Sequence, residues 1–239
     1  MNRASLFFLA LSTTIAHAQN DLQEKDVSPA TRRYHENRNA DTEPPFGLAK
    51  VKAAIKPLDD EKTASPLWPK MSVKERFTYC MLHGEVFDQN CEEMPWYVDE
   101  EKKVFAYPPP FEYGQAQWSA RQRAFLRQSR GTVVGLLRRT IREKRSVGVN
   151  LKTVILELHA NELIPDLVKV YERDHKDQDI LSVLAVLMKD GKDKAFLASS
   201  TWHKLYGPNA NYKSFVLANE ANQKLMVQRA MAFYRTRVH

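Results

Sequence analysis

Apolar residues recur at three- and four-residue steps over most of the chain from Ser119 onward, which predicts helices there. Ser119 is placed to cap a helix reaching about Ser129, and Gly131 marks a break. Thr132 then opens a helix with Val133, Leu136, Leu137 and Ile141 on its apolar stripe. Asn150 is placed to cap Leu151 to Leu158, and Asn161 to cap a helix that tolerates Pro165 in its first turn. Asp177 or Asp179 precedes the apolar run Ile180 to Met188, closed by Gly191. A turn at Gly207-Pro208-Asn209 leads to a long helix expected from about Lys213 to Arg235.

The N-terminal half reads differently. Residues 19–45 are polar and broken by Pro29, Pro44 and Pro45, so they are expected to be a flexible lead-in. A short helix is predicted over Leu48 to Leu58, ending at Pro57. Ser72-Val73-Lys74-Glu75 is a capping box, and Phe77, Cys80 and Met81 share a face of the helix it opens, with Gly84 at its end. Beyond it, aromatic residues alternate with proline from Pro95 through Tyr113. Rings in such a setting usually pack against a core, and less often form a binding platform. The expected organisation is a lead-in over residues 19–45, an aromatic and proline-rich segment over 46–118, and a helical array over 119–239.

Thr153 to Leu158 and Ser182 to Leu187 match in pattern at an offset of 29 residues, and each is followed by a second apolar helix. Paired helices at such a period resemble HEAT-type repeats, here over about Asn150 to Tyr206. That resemblance implies a binding surface. The fold class expected is all-α, an irregular helical array or a short α-solenoid. Only 8 glycines in 239 residues agree, since sheet sandwiches and barrels use glycine at their turns.

Residues 1–18 carry Arg3, an apolar core from Leu6 to Leu11 extended to Ile15, and Ala16-His17-Ala18, the pattern of a secretory signal peptide. Its apolar stretch is too short for a membrane span. The expected product is an exported protein, periplasmic or extracellular, with no transmembrane segment after cleavage. In such a compartment Cys80 and Cys91 are expected to form a disulfide, closing a loop worth about 3 kcal/mol. The alternatives are free thiols, or a metal held by Cys80, His83 and Cys91 with Asp88 or Glu92. No metal or other cofactor is expected.

Charge adds the sharpest feature. The chain carries 36 basic and 29 acidic side chains, and nine of the basic ones fall between Ser119 and Arg145 with Glu143 as the one acid. Helical spacing puts Arg123, Arg127 and Arg130 on one face, and Arg138, Arg142 and Arg145 on another. Guanidinium groups suit phosphate and carboxylate, so these six are the anion-binding candidates. The bland reading is a solvated face paired with acids elsewhere in the chain. Hydrolase, zincin, P-loop and Rossmann motifs are absent, and no catalytic residue is assigned. Asp174 to Asp179 reads as a helix connection, and Trp202, His203 and Tyr206 as a core edge. The function expected is therefore non-catalytic binding or adaptor activity. Its partner would be an anionic envelope polymer, a lipid headgroup or an acidic protein; nucleic acid is not expected outside the cytoplasm. The alternative is an exported hydrolase with a site between the aromatic segment and the array, using carboxylates or His83.

Overall fold

A computed structural model describes residues 27–56, 58, 63–87, 97–109 and 116–237, and these are mostly helical. The signal-like segment 1–18, Cys91, and the aromatic residues Trp96, Phe111 and Tyr113 lie outside them.

The C-terminal elements follow the apolar periodicity. Helices α4 (Ala120–Gln128) and α5 (Arg130–Lys144) join at Ser129, two residues before the expected break, and Gly131 lies inside α5. The Ser119 side chain accepts from the Gln122 amide, and Gln122 returns to the Ser119 amide, giving α4 a capping box. Then come α6 (Val149–Glu157), a 3₁₀ turn over Asn161–Leu163, α7 (Ile164–Tyr171) and α8 (Gln178–Asp190). Two short helices, α9 (Lys194–Leu197) and α10 (Ser200–Tyr206), replace the single one expected, because Ser199 caps a new start. Ile180 to Met188 is buried without a break, and α8 packs against α6, α7, α9 and the C-terminal helix α11 (Glu220–Arg237). A helix apolar all round belongs in the middle of a core.

Four sequence expectations are corrected. First, residues 29–38 of the supposed flexible lead-in form helix α1 (Pro29–Arg38), capped by the Ser28 hydroxyl with Pro29 in its first turn. Few apolar residues hold it. Arg38 and His35 anchor it instead: Arg38 donates to Asp179 at 2.7 and 2.9 Å and to Glu100 at 3.1 Å, while His35 Nδ1 lies 3.0 Å from Glu100. Second, the long helix expected from Lys213 starts only at Glu220, since Phe215–Leu217 forms strand β4. Val216 is buried while Phe215 and Leu217 are exposed, a period of two, and β4 pairs antiparallel with β2 (Lys103–Phe105). Third, Asn150 does not cap α6. Its amide bridges Thr42 and Met81, and Gly148 holds the cap position.

Fourth, Cys80 is a free thiol buried within the core among the described residues, and Cys91, its expected disulfide partner, lies outside them. It lies on α3 (Val73–Leu82), which begins at the expected capping box and ends two residues before Gly84. Burial pushes its thiol well above the ordinary value, with Glu85 adding to the effect. Trp118 Nε1 donates to the Cys80 carbonyl at 2.7 Å, tying the aromatic segment to α3. Trp68 meets Tyr79 and Phe125 edge-on, so those rings pack in the core. Helix α2 (Leu48–Ile55) packs on α3, and the two-residue strands β1 (Val86–Phe87) and β3 (Ala116–Gln117) pair beside it. No helix among the described residues is long and apolar enough to cross a membrane.

Candidate anion-binding cleft

The arginine rows do face one way, and what they face is a row of acids. Arg123 and Arg127 reach the Glu157 carboxylate at 3.2 and 2.7 Å. Arg130 holds Glu162 through two parallel bonds of 2.6 and 2.9 Å, and Arg138 and Arg142 share Asp166 at 3.2 and 2.7 Å. The seam thus staples α4 and α5 to the chain from the end of α6 into α7. The Glu162 carboxyl is held below its ordinary value, first by the Arg130 hydrogen bonds, which outweigh partial burial. Arg121 and Arg139, neighbours of the rows, pair with Glu85 and Glu143. Burial would raise the Glu85 carboxyl, but the hydrogen bonds from Arg121 and Ser119 outweigh it and hold it low.

Five of the six candidate arginines therefore have an acid of the same chain as partner. Arg145 has none among the described residues, and it also leaves the predicted face. Its backbone is left-handed, φ 54°, where α5 ends, so its side chain is not in register with Arg138 and Arg142. Among the described residues no acid pairs with it.

Arg145 lines a cleft of about 400 Å³ between the end of α5 and α7. Ile141 and Val170 supply its apolar surface, and Arg142, Lys169, Arg173 and Asp166 complete the lining. Four cations thus surround one carboxylate, and that carboxylate is already shared between Arg138 and Arg142. Lys169 is exposed and has no acid partner among the described residues. Arg173 donates to the Arg145 carbonyl at 2.5 Å and to Asp174 at 3.0 Å, so it links the rim of α5 to the chain beyond α7. Sequence periodicity had a signal for Lys169 and Arg173, since they are four apart. It gave no means of placing them opposite Arg142 and Arg145.

A second, larger cleft of about 810 Å³ adjoins the first, with Val170 and Arg173 lining both. Helix α1 forms one side through Tyr34, Asn37 and Arg38, and the loop before α8 contributes Asp177. The Tyr34 hydroxyl is shut off from water and has no hydrogen-bond partner among the described residues. Burial raises the Tyr34 phenol well above its ordinary value, and Asp179 adds to the shift. Burial likewise raises the Asp177 carboxyl, although Lys152, 2.7 Å away, opposes it.

The residues considered for other chemistry are occupied or unassembled. The His83 ring lies against the Thr63 carbonyl and packs edge-on to Tyr79. Among the described residues no three His, Cys, Asp or Glu side chains converge as a metal site would require; Asp88, Cys91 and Glu92 are outside that set. Asp177 occupies the cap position of α8 but gives its carboxylate to Lys152, and Asp179 gives its own to Arg38. Compared with protein-family models, curated proteins and solved structures, the chain matches none.

Proposed function

We propose that this is an exported, non-catalytic binding protein that takes an anionic group in the cleft between α5 and α7. The observation carrying this reading is the charge imbalance there: Arg142, Arg145, Lys169 and Arg173 around Asp166, with Arg145 and Lys169 lacking acid partners among the described residues. A recess with low-dielectric walls strengthens the attraction of such a set for an anion. The seam formed by Arg123, Arg127, Arg130 and Arg138 serves packing in this reading, so the anion-binding role contracts to the end of the arginine run. Export rests on residues 1–18, and it favours an anionic envelope polymer, lipid headgroup or acidic protein as the source of the anion.

We also read the array as irregular rather than as a solenoid. Helix α11 packs on both α7 and α8, and α8 is enclosed by α6, α7, α9 and α11. Stacked helix pairs would leave each pair touching only its neighbours along one axis. The binding surface is accordingly a local cleft and not a long concave face.

Calorimetric titration with inorganic phosphate, with retention on a heparin matrix as a second reading, tests the proposal. The double variant Arg145→Ala/Lys169→Ala should bind phosphate at least about tenfold more weakly and leave the matrix at lower salt. Lys74→Ala, on an exposed lysine of α3 outside the cleft, should behave as the parent chain. Equal phosphate affinity in the double variant and the parent would overturn the proposal.

A further inference from the structure

The two adjoining clefts differ in charge in a way that specifies a ligand. The smaller is strongly cationic. The larger is balanced: Arg33, Arg38, Arg173 and Lys176 supply its positive side chains. Asp41, Glu101, Asp174 and Asp177 supply an equal number of carboxylates. A net-neutral wall so dense in donors and acceptors gives no advantage to a charged group, yet it suits a neutral group with many hydroxyls. Its volume of about 810 Å³ lies within the usual range of small-molecule sites. Apolar surface from Val147, Val170 and the Tyr34 ring offers faces on which the carbon side of a sugar ring can rest.

Resting on the anion-binding reading above, we propose that the paired clefts take an acidic saccharide. Its charged group would sit among Arg142, Arg145 and Lys169, and its hydroxyl-bearing rings along α1 in the larger cleft. Arg173, lining both, bridges the two parts. One group of α1 stands ready for sugar hydroxyls. The Asn37 side chain is exposed at the cleft with no partner among the described residues. The Tyr34 hydroxyl is shut off from the cleft, so Tyr34 contributes only the face of its ring. The ionised group could be a carboxylate, as in a uronic acid, or a phosphate ester; both present oxygens that guanidinium groups bind in pairs.

Calorimetry on the full mature chain separates these points with four probes: trigalacturonic acid, the same trisaccharide with its carboxyl groups reduced to alcohols, trehalose 6-phosphate, and inorganic phosphate. The proposal expects at least one acidic sugar to bind ten times more tightly than inorganic phosphate. The reduced trisaccharide should bind at least tenfold more weakly than its acid form. Whichever acidic sugar binds better identifies the charged group as carboxylate or phosphate ester. Asn37→Ala should weaken the sugar three- to tenfold and leave phosphate affinity unchanged, whereas Tyr34→Phe, which keeps the ring face, should change neither. Tyr34→Phe removes a buried, unpartnered hydroxyl, so loss of folding is not expected from it. Phosphate binding without any gain from the sugar, or sugar affinity indifferent to Asn37→Ala, overturns the saccharide proposal and leaves the anion-binding reading standing. No binding by any of the anionic probes overturns both.

Discussion

Replacing Arg38 with Met tests whether buried charge holds α1 to the helical array. The Arg38 side chain is 3% exposed, and its partners Asp179 and Glu100 are 1% and 0% exposed. Its Nε and Nη2 donate to both Asp179 oxygens, and its Nη1 donates to Glu100. It also lies 4.9 Å from the Phe105 ring centre. Methionine keeps much of the volume and removes the charge, leaving two buried carboxylates with fewer donors. Breaking one side of a buried pair typically costs about 3–5 kcal/mol. His35 and the Tyr97 amide still serve Glu100, so the lower part of that range is expected, about 3 kcal/mol. A domain with roughly 5–15 kcal/mol of stability would survive this with its urea midpoint clearly lowered.

Urea unfolding followed by far-UV circular dichroism and tryptophan fluorescence measures the loss. Limited proteolysis should show new cutting within residues 29–38. The pH dependence supplies a second check. Burial would raise the Glu100 carboxyl, but the His35 hydrogen bond and then the Arg38 charge outweigh it, so its folded value lies below the ordinary one. Stability from a depressed carboxyl is complete above its unfolded value, about 4.3, and is lost as pH falls through the folded value. The gap between parent and variant should therefore be widest near pH 7 and narrow on acidification below about 4. A loss under 1 kcal/mol at pH 7 together with unchanged proteolysis would refute the claim that Arg38 secures α1.

Two further outcomes follow from close packing. A Cβ on Gly148 would come within 2.3 Å of the Thr42 amide nitrogen and 2.8 Å of the Ala40 carbonyl oxygen, so Gly148→Ala must push residues 40–42 off the start of α6. It should cost about 2 kcal/mol or more in thermal or urea unfolding, and a change below 0.5 kcal/mol would show that the segment is not seated there. In a Cys91→Ser chain, Cys80 should resist a thiol-specific reagent in buffer and react promptly in 6 M guanidinium, since the native thiol is buried and its ionisation suppressed. Reaction in buffer at the rate of a free cysteine would contradict that placement.

The sequence by itself determined the helical class, the capping box at Ser72, the cap at Ser119, most of the arginine rows and the apolar core of α8. Each is written in spacing of three to four residues or in a local side chain-to-backbone bond, and neither needs distant chain. The period-two alternation around Val216 was equally present, but three residues are too few to outweigh the helical residues after them, and only the pairing with β2 fixed a strand. Helix α1 was not legible because its anchor is electrostatic and lies at Glu100 and Asp179, far along the chain. Asn150 looked like a cap for the same reason: its amide serves Thr42 and Met81, which no local pattern places beside it. The arginines show the division most plainly. Spacing placed Arg123, Arg127 and Arg130 on one face and Arg138 and Arg142 on another, whereas the left-handed turn that takes Arg145 off its row, the acids opposite and the cleft where Arg145 meets Lys169 and Arg173 were decided by the fold. Helical periodicity is a property of neighbouring residues, but neutralising a charge depends on what the fold brings within a few ångströms of it.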